Sequence, residues 1–393
     1  MKLHVLFSFF AASLLLGACG RSYHVDEAGV RILPVELKHQ DVKLEDIFER
    51  VEVIPLETND SCLIRSIGRV IDKDSMIYLF DVTKVRKFKP DGTYAGSIGR
   101  KGQGPGEYYY VEDFDIDPAN GDVYILSPFG YVYRYTSGGK FVERYSPCYQ
   151  PNYQNIRFYN DSCWFTWTLA FWDDMTPPST FFNKDFTKVS ANPSSSFYGP
   201  DMTYASVEFS ELDGRLFAAF TFGPEIYEIS PDTVITRYRW DFGKDMTSEA
   251  TLTKYHQPLD DNPEVNMRRD QEFFADLGIK YFQNDQFVTD RYIYNRLIKN
   301  DDFDKSNPPK DLVLTYYRVL YDLKKDKAMV FDGLNGELLK GRVRGMTNDY
   351  LLEVVEPERF KFYKDYLPEG MSLEDIDVEE ANPMLAKFYF KRK

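Results

Sequence analysis

The sequence predicts an all-β chain folded as a six-bladed β-propeller, with a short helical insertion between blades four and five. Three observations carry this expectation. Short β-runs recur with a period in the forties, Asp/Asn/Gly turns separate them, and aromatic residues make up 16% of the chain, with 29 Tyr and 31 Phe. Aromatic side chains suit a pleated, half-buried surface. One four-stranded unit cannot bury both its faces. A closed ring of such units can, and it leaves only short protected edges.

The N-terminus stands apart from the repeats. Lys2 is followed by an apolar run from Val5 to Leu16, broken only by Ser8 and Ser13. That is the length of a signal-peptide core and too short to span a bilayer comfortably. It ends in Leu16-Gly17-Ala18-Cys19, small residues directly before a cysteine, which resembles the lipobox of bacterial lipoproteins. The resemblance implies cleavage before Cys19 and lipidation of its thiol, with several acyl chains holding the protein to the outer membrane. The residues after Cys19 leave the periplasmic and surface faces both open. Residues 1–18 are therefore read as a lipoprotein signal peptide, 19–43 as a polar tether and 44–393 as the propeller.

The propeller begins with a short helical turn and a strand between Leu44 and Leu56. The repeat follows. Ile77-Tyr78-Leu79 recurs 46 residues later as Val123-Tyr124-Ile125, and Lys87-Phe88 recurs 47 residues later as Arg134-Tyr135. Asp91-Gly92 and Gly138-Gly139 close the corresponding turns, where Gly tolerates positive φ and Asp bonds its own backbone. A third unit is built around Ile156–Phe158, Asp161–Phe165 and Phe181–Asp185. A fourth uses Phe209–Leu212, Asp213–Phe217, Glu225–Ile229 and Thr236–Trp240. The fifth takes Phe287–Thr289, Tyr292–Tyr294 and Val313–Asp322, and the sixth Arg342–Met346, Tyr350–Val355 and Arg359–Tyr363. Between the fourth and fifth, Met267, Phe274 and Leu277 keep helical spacing in an excursion over Met246–Ile279. A second insert, Ser372–Glu380, precedes the last strand, Leu385–Phe390. That strand is expected to complete one blade with Val51–Leu56.

Several segments, taken in order, resemble the exported six-bladed β-propeller lipoproteins of anaerobic Gram-negative bacteria, relatives of NHL-repeat propellers. They are Val53-Ile54-Pro55-Leu56-Glu57-Thr58, the Gly-rich stretch Ile98 to Tyr108, Pro224-Glu225-Ile226-Tyr227, Trp240-Asp241-Phe242-Gly243 and Asn382-Pro383. The resemblance implies a fold and an envelope location and leaves the biochemical role undefined.

Composition excludes more than it assigns. A net charge of −14 gives no electrostatic footprint for nucleic acid. Beyond Cys19 the cysteines are Cys62, Cys148 and Cys163, an odd number with no CxxC spacing. Buried free thiols are the preferred reading over a Cys148–Cys163 bridge. After processing, His24 and His39 lie in the tether and His256 stands in the excursion without a His or Cys companion, which speaks against zinc and triad chemistry. No cofactor is expected.

The Gly99–Gly106 loop lacks the Lys-Ser/Thr ending of a P-loop and no helix follows it, so it reads first as an inter-blade connection. Arg100, Lys101 and Glu107 are its candidate ligand-binding residues, because blade connections are expected to line a rim of the channel. Asp72, Asp74, Asp117 and Asp122 read as turn formers, and Asn300–Asp304 as a solvated loop rather than a calcium site. Trp164, Trp167, Phe171 and Trp172 read as core aromatics before sugar-stacking ones. The leading functional expectation is a non-catalytic binding or scaffold propeller holding a glycan, a peptide or an envelope protein partner at the channel rim. The alternative is a propeller enzyme, a lyase or lactonase-like hydrolase, with a carboxylate-bound metal in the channel. That alternative requires three or more Asp, Glu, Asn or His side chains converging on the axis.

Overall fold

The computed structural model describes residues 24–146 except 82, 153–193 except 161 and 169–177, 207–246 except 222, 282–300, 314–392 and scattered positions between 248 and 272. Six antiparallel sheets follow one another along the chain. Blade one holds β3 (Val70–Lys73), β4 (Met76–Asp81), β5 (Lys84–Phe88) and β6 (Tyr94–Ile98). Blade two holds β7 (Asp113–Ile116), β8 (Val123–Ser127), β9 (Tyr131–Tyr135) and β10 (Phe141–Tyr145), and blade three β11 (Tyr153–Tyr159), β12 (Cys163–Thr168), β13 (Ser179–Asn183) and β14 (Lys188–Asn192). Blade four holds β15 (Val207–Leu212), β16 (Arg215–Phe220), β17 (Glu225–Ile229) and β18 (Val234–Asp241). Blade five holds β19 (Phe282–Val288), β20 (Tyr292–Asn300), β21 (Leu314–Asp322) and β22 (Lys327–Phe331).

Blade six is shared between the two ends of the chain. Its inner strands β23 (Arg342–Met346) and β24 (Tyr350–Val355) are followed by β25 (Met384–Phe390), and the outer position is filled by β2 (Phe48–Pro55), which follows the short helix α1 (Leu44–Ile47). Val53 lies opposite Ala386 and Ile54 opposite Leu385 in the antiparallel register. The strand closure expected from the sequence is present.

Turn chemistry sets the hairpins. Asp74 and Ser75 both have positive φ between the paired Lys73 and Met76, and Asp213-Gly214 repeat this between Leu212 and Arg215. Two positive-φ residues in a two-residue loop match the right-handed twist of the strands they join.

The core lies between blades, because neighbouring residues of a strand point to opposite faces. Tyr78, Val85 and Ile98 of blade one pack with Phe114, Val123 and Tyr133 of blade two. Tyr124 and Leu126 of blade two meet Ile156, Trp164 and Phe182 of blade three. The opposite side of β12, Phe165 and Trp167, meets Leu216 and Tyr227 of blade four. Phe217 and Trp240 pack on Ile293 and Val319 of blade five, and Tyr294 and Leu320 on Leu351 and Phe388 of blade six. Finally Leu352, Val354 and Leu385 of blade six pack on Ile77 and Leu79 of blade one. The last cluster closes the ring: the fold is a six-bladed β-propeller.

Four expectations change or fall outside the described residues. The stretch read as a tether carries a strand, β1 (Arg31–Pro34), that pairs in parallel with β18 and makes blade four five-stranded. Leu33 and Val35 are buried there, which a solvated tether would not achieve. Arg359–Tyr363 do not form a β-run. Pro357–Phe362 make a 3-10 turn instead, favoured by the proline at its start and fastened by the buried Phe360 and Tyr363. Blades three and five each gain a fourth strand, β14 and β22, that the sequence does not announce. In the excursion, residues 263–266, 268 and 269 are helical, while Met267, Phe274, Leu277 and His256 lie outside the described residues, as do Cys19, Cys148, Phe171, Trp172 and 301–304.

Candidate functional site: the channel mouth

The first strand of each unit lines the central channel, and these strands carry charges where a core strand would carry apolar residues. Asp113-Phe114-Asp115-Ile116 and Arg342-Val343-Arg344 show the pattern most plainly. The alternation keeps apolar side chains against neighbouring blades and leaves polar ones to the axis.

Most of these charges are paired in two networks. In the first, Arg69 donates to the Phe114 carbonyl at 2.6 Å and to Glu211 Oε1 at 3.1 Å, and lies within 4 Å of Asp113 and Asp115. Arg157 donates to Asp113 and approaches Glu211 Oε1 at 3.5 Å. Asp113 and Asp115 also accept the backbone N–H groups of Ile156 and Phe158, at 3.1 and 2.7 Å. Blades one to four are thus tied across the axis. In the second network Asp285 accepts from Arg342 at 2.7 Å and from Arg296 at 3.2 Å, joining blades five and six.

Two groups on the same wall stand outside both networks. Glu208 on β15 and Arg344 on β23 make no hydrogen bond or ion pair among the described residues, and the Arg344 Nε is buried without a partner. Burial, reinforced by Asp285, pushes the Glu208 carboxyl up to about 7. Desolvation within the channel and then Asp115 raise the Glu211 carboxyl as well, against the pull of Arg69 and Arg157. Arg344 is held below the usual guanidinium range by burial and by Arg342 beside it.

Above these groups the channel opens into a cavity of about 510 Å3. Every blade contributes to its lining: Asp72 from the first, Asp115 from the second, Asn160 from the third, Glu211 from the fourth, Phe287 from the fifth and Arg344 from the sixth. The hairpins that follow the inner strands frame it, including Asp213-Gly214 and Thr347. At its edge Asp72 accepts from Tyr350 at 2.9 Å and Lys387 at 2.5 Å, so it is a cross-blade anchor rather than a turn former. Asp74 and Asp117 do serve turns, and Asp122 pairs with Arg134 at 2.8 Å.

Arg100, Lys101 and Glu107 lie elsewhere. The Gly-rich loop runs from β6 to β7 and covers a second cavity, of about 570 Å3, lined by Phe129, Tyr131, Phe141 and Arg144 from the outer half of blade two. These residues therefore do not join the channel mouth. Arg100 pairs with Glu107 at 2.6 Å, and Glu107 also accepts the Gly104 N–H at 2.9 Å, the main cause of its lowered pKa. The carboxylate fills the loop so closely that a Cβ on Gly102 would meet it at 1.9 Å. Lys101 sits 4.4 Å over the Tyr110 ring, and Tyr109, Tyr110 and Phe129 are exposed beside it.

Trp164 and Trp167 are fully buried, in line with core packing. Cys62 and Cys163 are buried free thiols. Among the described residues, no three His, Cys, Asp or Glu side chains are arranged to hold a metal ion, and no helix is long and apolar enough to cross a membrane. The sequence reading missed the channel arginines. The signal in the sequence is the charged–apolar alternation of Asp113-Phe114-Asp115-Ile116 and Arg342-Val343-Arg344.

Comparison with known proteins places this wall in a family. A model described as "Domain of unknown function (DUF4934)" matches residues 30–389. The chain belongs to the DUF4934 family. The match begins at Val30, so the family's domain includes β1 as well as the ring. No curated protein matches the chain. Among solved structures, a protein from Bacteroides fragilis described as exported is 18% identical and superposes with a TM-score of 0.69 over 92% of this chain and 100% of that one. A DUF4221 family member from Bacteroides vulgatus is 11% identical, with a TM-score of 0.50 over 90% of this chain and 99% of that one. At these identities the likeness shows the shared propeller fold of the DUF4934 chain.

Proposed function

We propose that this DUF4934 chain is an exported, lipid-anchored binding propeller whose ligand enters the channel mouth. The observation that carries the reading is the cavity itself. All six blades line it, Arg344 in its lining is without an ion partner among the described residues where the other channel arginines are paired, and its volume suits a small molecule or the end of a larger one. Convergent polar groups in a preformed concave site are what ligand sites require, and fold alone would not argue for it. The metal-dependent enzyme reading finds no cluster among the described residues to support it.

Export and anchoring rest on the N-terminal apolar run ending at Cys19, and the fold neighbour described as exported agrees. Replacing Cys19 by Ser should move the protein from the membrane fraction to the soluble one, and unchanged fractionation would remove the anchor from this reading.

The binding site is tested by filling it. Gly345 lines the cavity, and a Cβ there meets only the Leu352 Cβ at 3.9 Å, so a side chain starts at this position without a clash and Gly345→Phe serves to fill the cavity. Wild type and Gly345→Phe are compared on glycan and peptide arrays, with equal unfolding midpoints as a control. Loss of binding to one ligand class in the variant supports the channel site. Binding indifferent to the substitution places the site elsewhere on the ring.

A further inference from the structure

We infer that the channel mouth takes a carboxylate-bearing small molecule, gripped by the Arg344 guanidinium beside Glu208; this rests on the channel being the ligand site and names what it binds. Arg69, Arg157, Arg296 and Arg342 each have a carboxylate within 4 Å. Among the described residues, Arg344 alone of these channel arginines has none, although it lines the cavity. An inward-facing guanidinium with a buried, unsatisfied N–H is costly to keep. A planar carboxylate satisfies it with two parallel hydrogen bonds, a geometry that suits arginine better than any other side chain.

The groups around the site decide the sign of the charge it wants. Glu208 faces Asp285 on β19, Arg342 and Arg344 on β23 and Arg157 on β11. Glu211 faces Asp113 and Asp115 on β7, Arg69 and Arg157. Arg344 faces Arg342, Asp285, Glu208 and Arg296, and Glu356 lies within its field. With Glu208 pushed towards its neutral form, it supplies Arg344 little countercharge, and an anion is the natural counterweight. A bound carboxylate makes ionisation of Glu208 harder still, so the complex takes up a proton. Affinity then falls as pH rises through about 7, by up to about tenfold per pH unit for each linked proton.

The test is calorimetric titration of the purified full chain with matched pairs that differ in the carboxylate: glucuronate against glucose, and N-acetylglycine against N-acetylglycinamide. The first pair asks whether the carboxylate belongs to a sugar acid, the second to a peptide end. Each is run at pH 6 and pH 8 in two buffers of different ionisation heat. One acid should bind at least about tenfold more tightly than its neutral partner, more tightly at pH 6, and with proton uptake. Arg344→Gln should abolish the preference, and Glu208→Gln should flatten the pH dependence while keeping binding. If a neutral member binds as well as its acid and Gly345→Phe blocks it, the channel reading stands and the carboxylate inference falls. Equal acid binding in Arg344→Gln, or no binding by either acid, overturns the inference. The unfolding midpoint supplies an independent arm. A residue kept for a ligand can be replaced without cost, so Arg344→Gln should leave the midpoint unchanged or raise it, and a clear drop would assign Arg344 a structural role instead.

Discussion

Arg31 of β1 donates to Asp326 at 2.8 Å, so the leading strand of blade four is bonded to the β21–β22 turn of blade five. The same guanidinium donates to the Leu323 carbonyl at 2.7 Å. One short strand therefore both covers the outer edge of blade four and bridges to its neighbour. An exposed edge strand invites pairing with other chains, and the four-residue β1 leaves a shorter edge than the eight-residue β18 it covers.

The apolar part of that strap should outweigh its ion pair. Leu33 is fully buried against the interface of blades four and five. Leu33→Ala should lower stability by about 3 kcal/mol, and Arg31→Ala by about 1 kcal/mol, since Asp326 remains partly solvated. Urea unfolding monitored by tryptophan fluorescence measures both. Equal losses would mean that the electrostatic bridge dominates.

Asn382 fastens the closure from inside. Its Nδ2 donates to the carbonyls of Glu57 and Cys62 at 2.7 and 3.0 Å, and its Oδ1 accepts the Ile64 N–H at 2.7 Å. Asn382→Ala leaves all three backbone groups short of a partner and should cost about 2–4 kcal/mol. Asn382→Asp should be no better, because a carboxylate meets two carbonyl oxygens. Denaturation midpoints of the two variants decide this.

The turn Pro128–Gly130 between β8 and β9 holds a residue that works against folding. Phe129 has φ of 66° and is 68% exposed, so it has left-handed backbone strain and little packing in return. Phe129→Gly should raise stability by about 1 kcal/mol. A loss would show that the ring, rather than the backbone, sets the energy of this turn.

Stability should also depend on pH through the channel carboxyls. The folded pKa of Glu208 is raised to about 7 from an ordinary 4.5, and that of Glu211 is raised in the same direction. Their favourable contribution is fully present below the unfolded value and is lost as pH rises through about 7. The unfolding midpoint should therefore fall between pH 5.5 and pH 8.5, and Glu208→Gln should make that slope shallower. A variant slope as steep as wild type would place the titration elsewhere.

Much of the ring was legible because its units obey local rules. Ile77-Tyr78-Leu79 and Val123-Tyr124-Ile125 repeat with their turns, and terminal strands without partners in their own units had to find each other. What escaped was non-local. Arg31–Pro34 has only two apolar residues of strand character, Ile32 and Leu33, and becomes a strand because β18 offers an edge. Arg359–Tyr363 resembles a β-run until Pro357 and the Tyr363 hydroxyl, which donates to Glu353 and accepts the Leu339 N–H, are considered together. The channel was hidden for the same reason. Glu208 and Arg344 come from different blades, and each looks like an ordinary polar position until the others around it are seen to be paired.

The shared sixth blade has a consequence for how the protein is made. Glu52 and Tyr389 bond across 337 residues of chain, so β2 emerges early and waits for almost everything else to be synthesised. Until β25 arrives, the apolar faces of the sixth blade have no complete sheet to join, and the ring stays an open arc with an unpaired edge at each end. Contacts of such separation form late and slowly, and the open arc is the species most exposed to aggregation and proteolysis. Loss of only the last ten residues should therefore be far more damaging than a break in any surface loop, because a propeller without its latch has not yet become a ring.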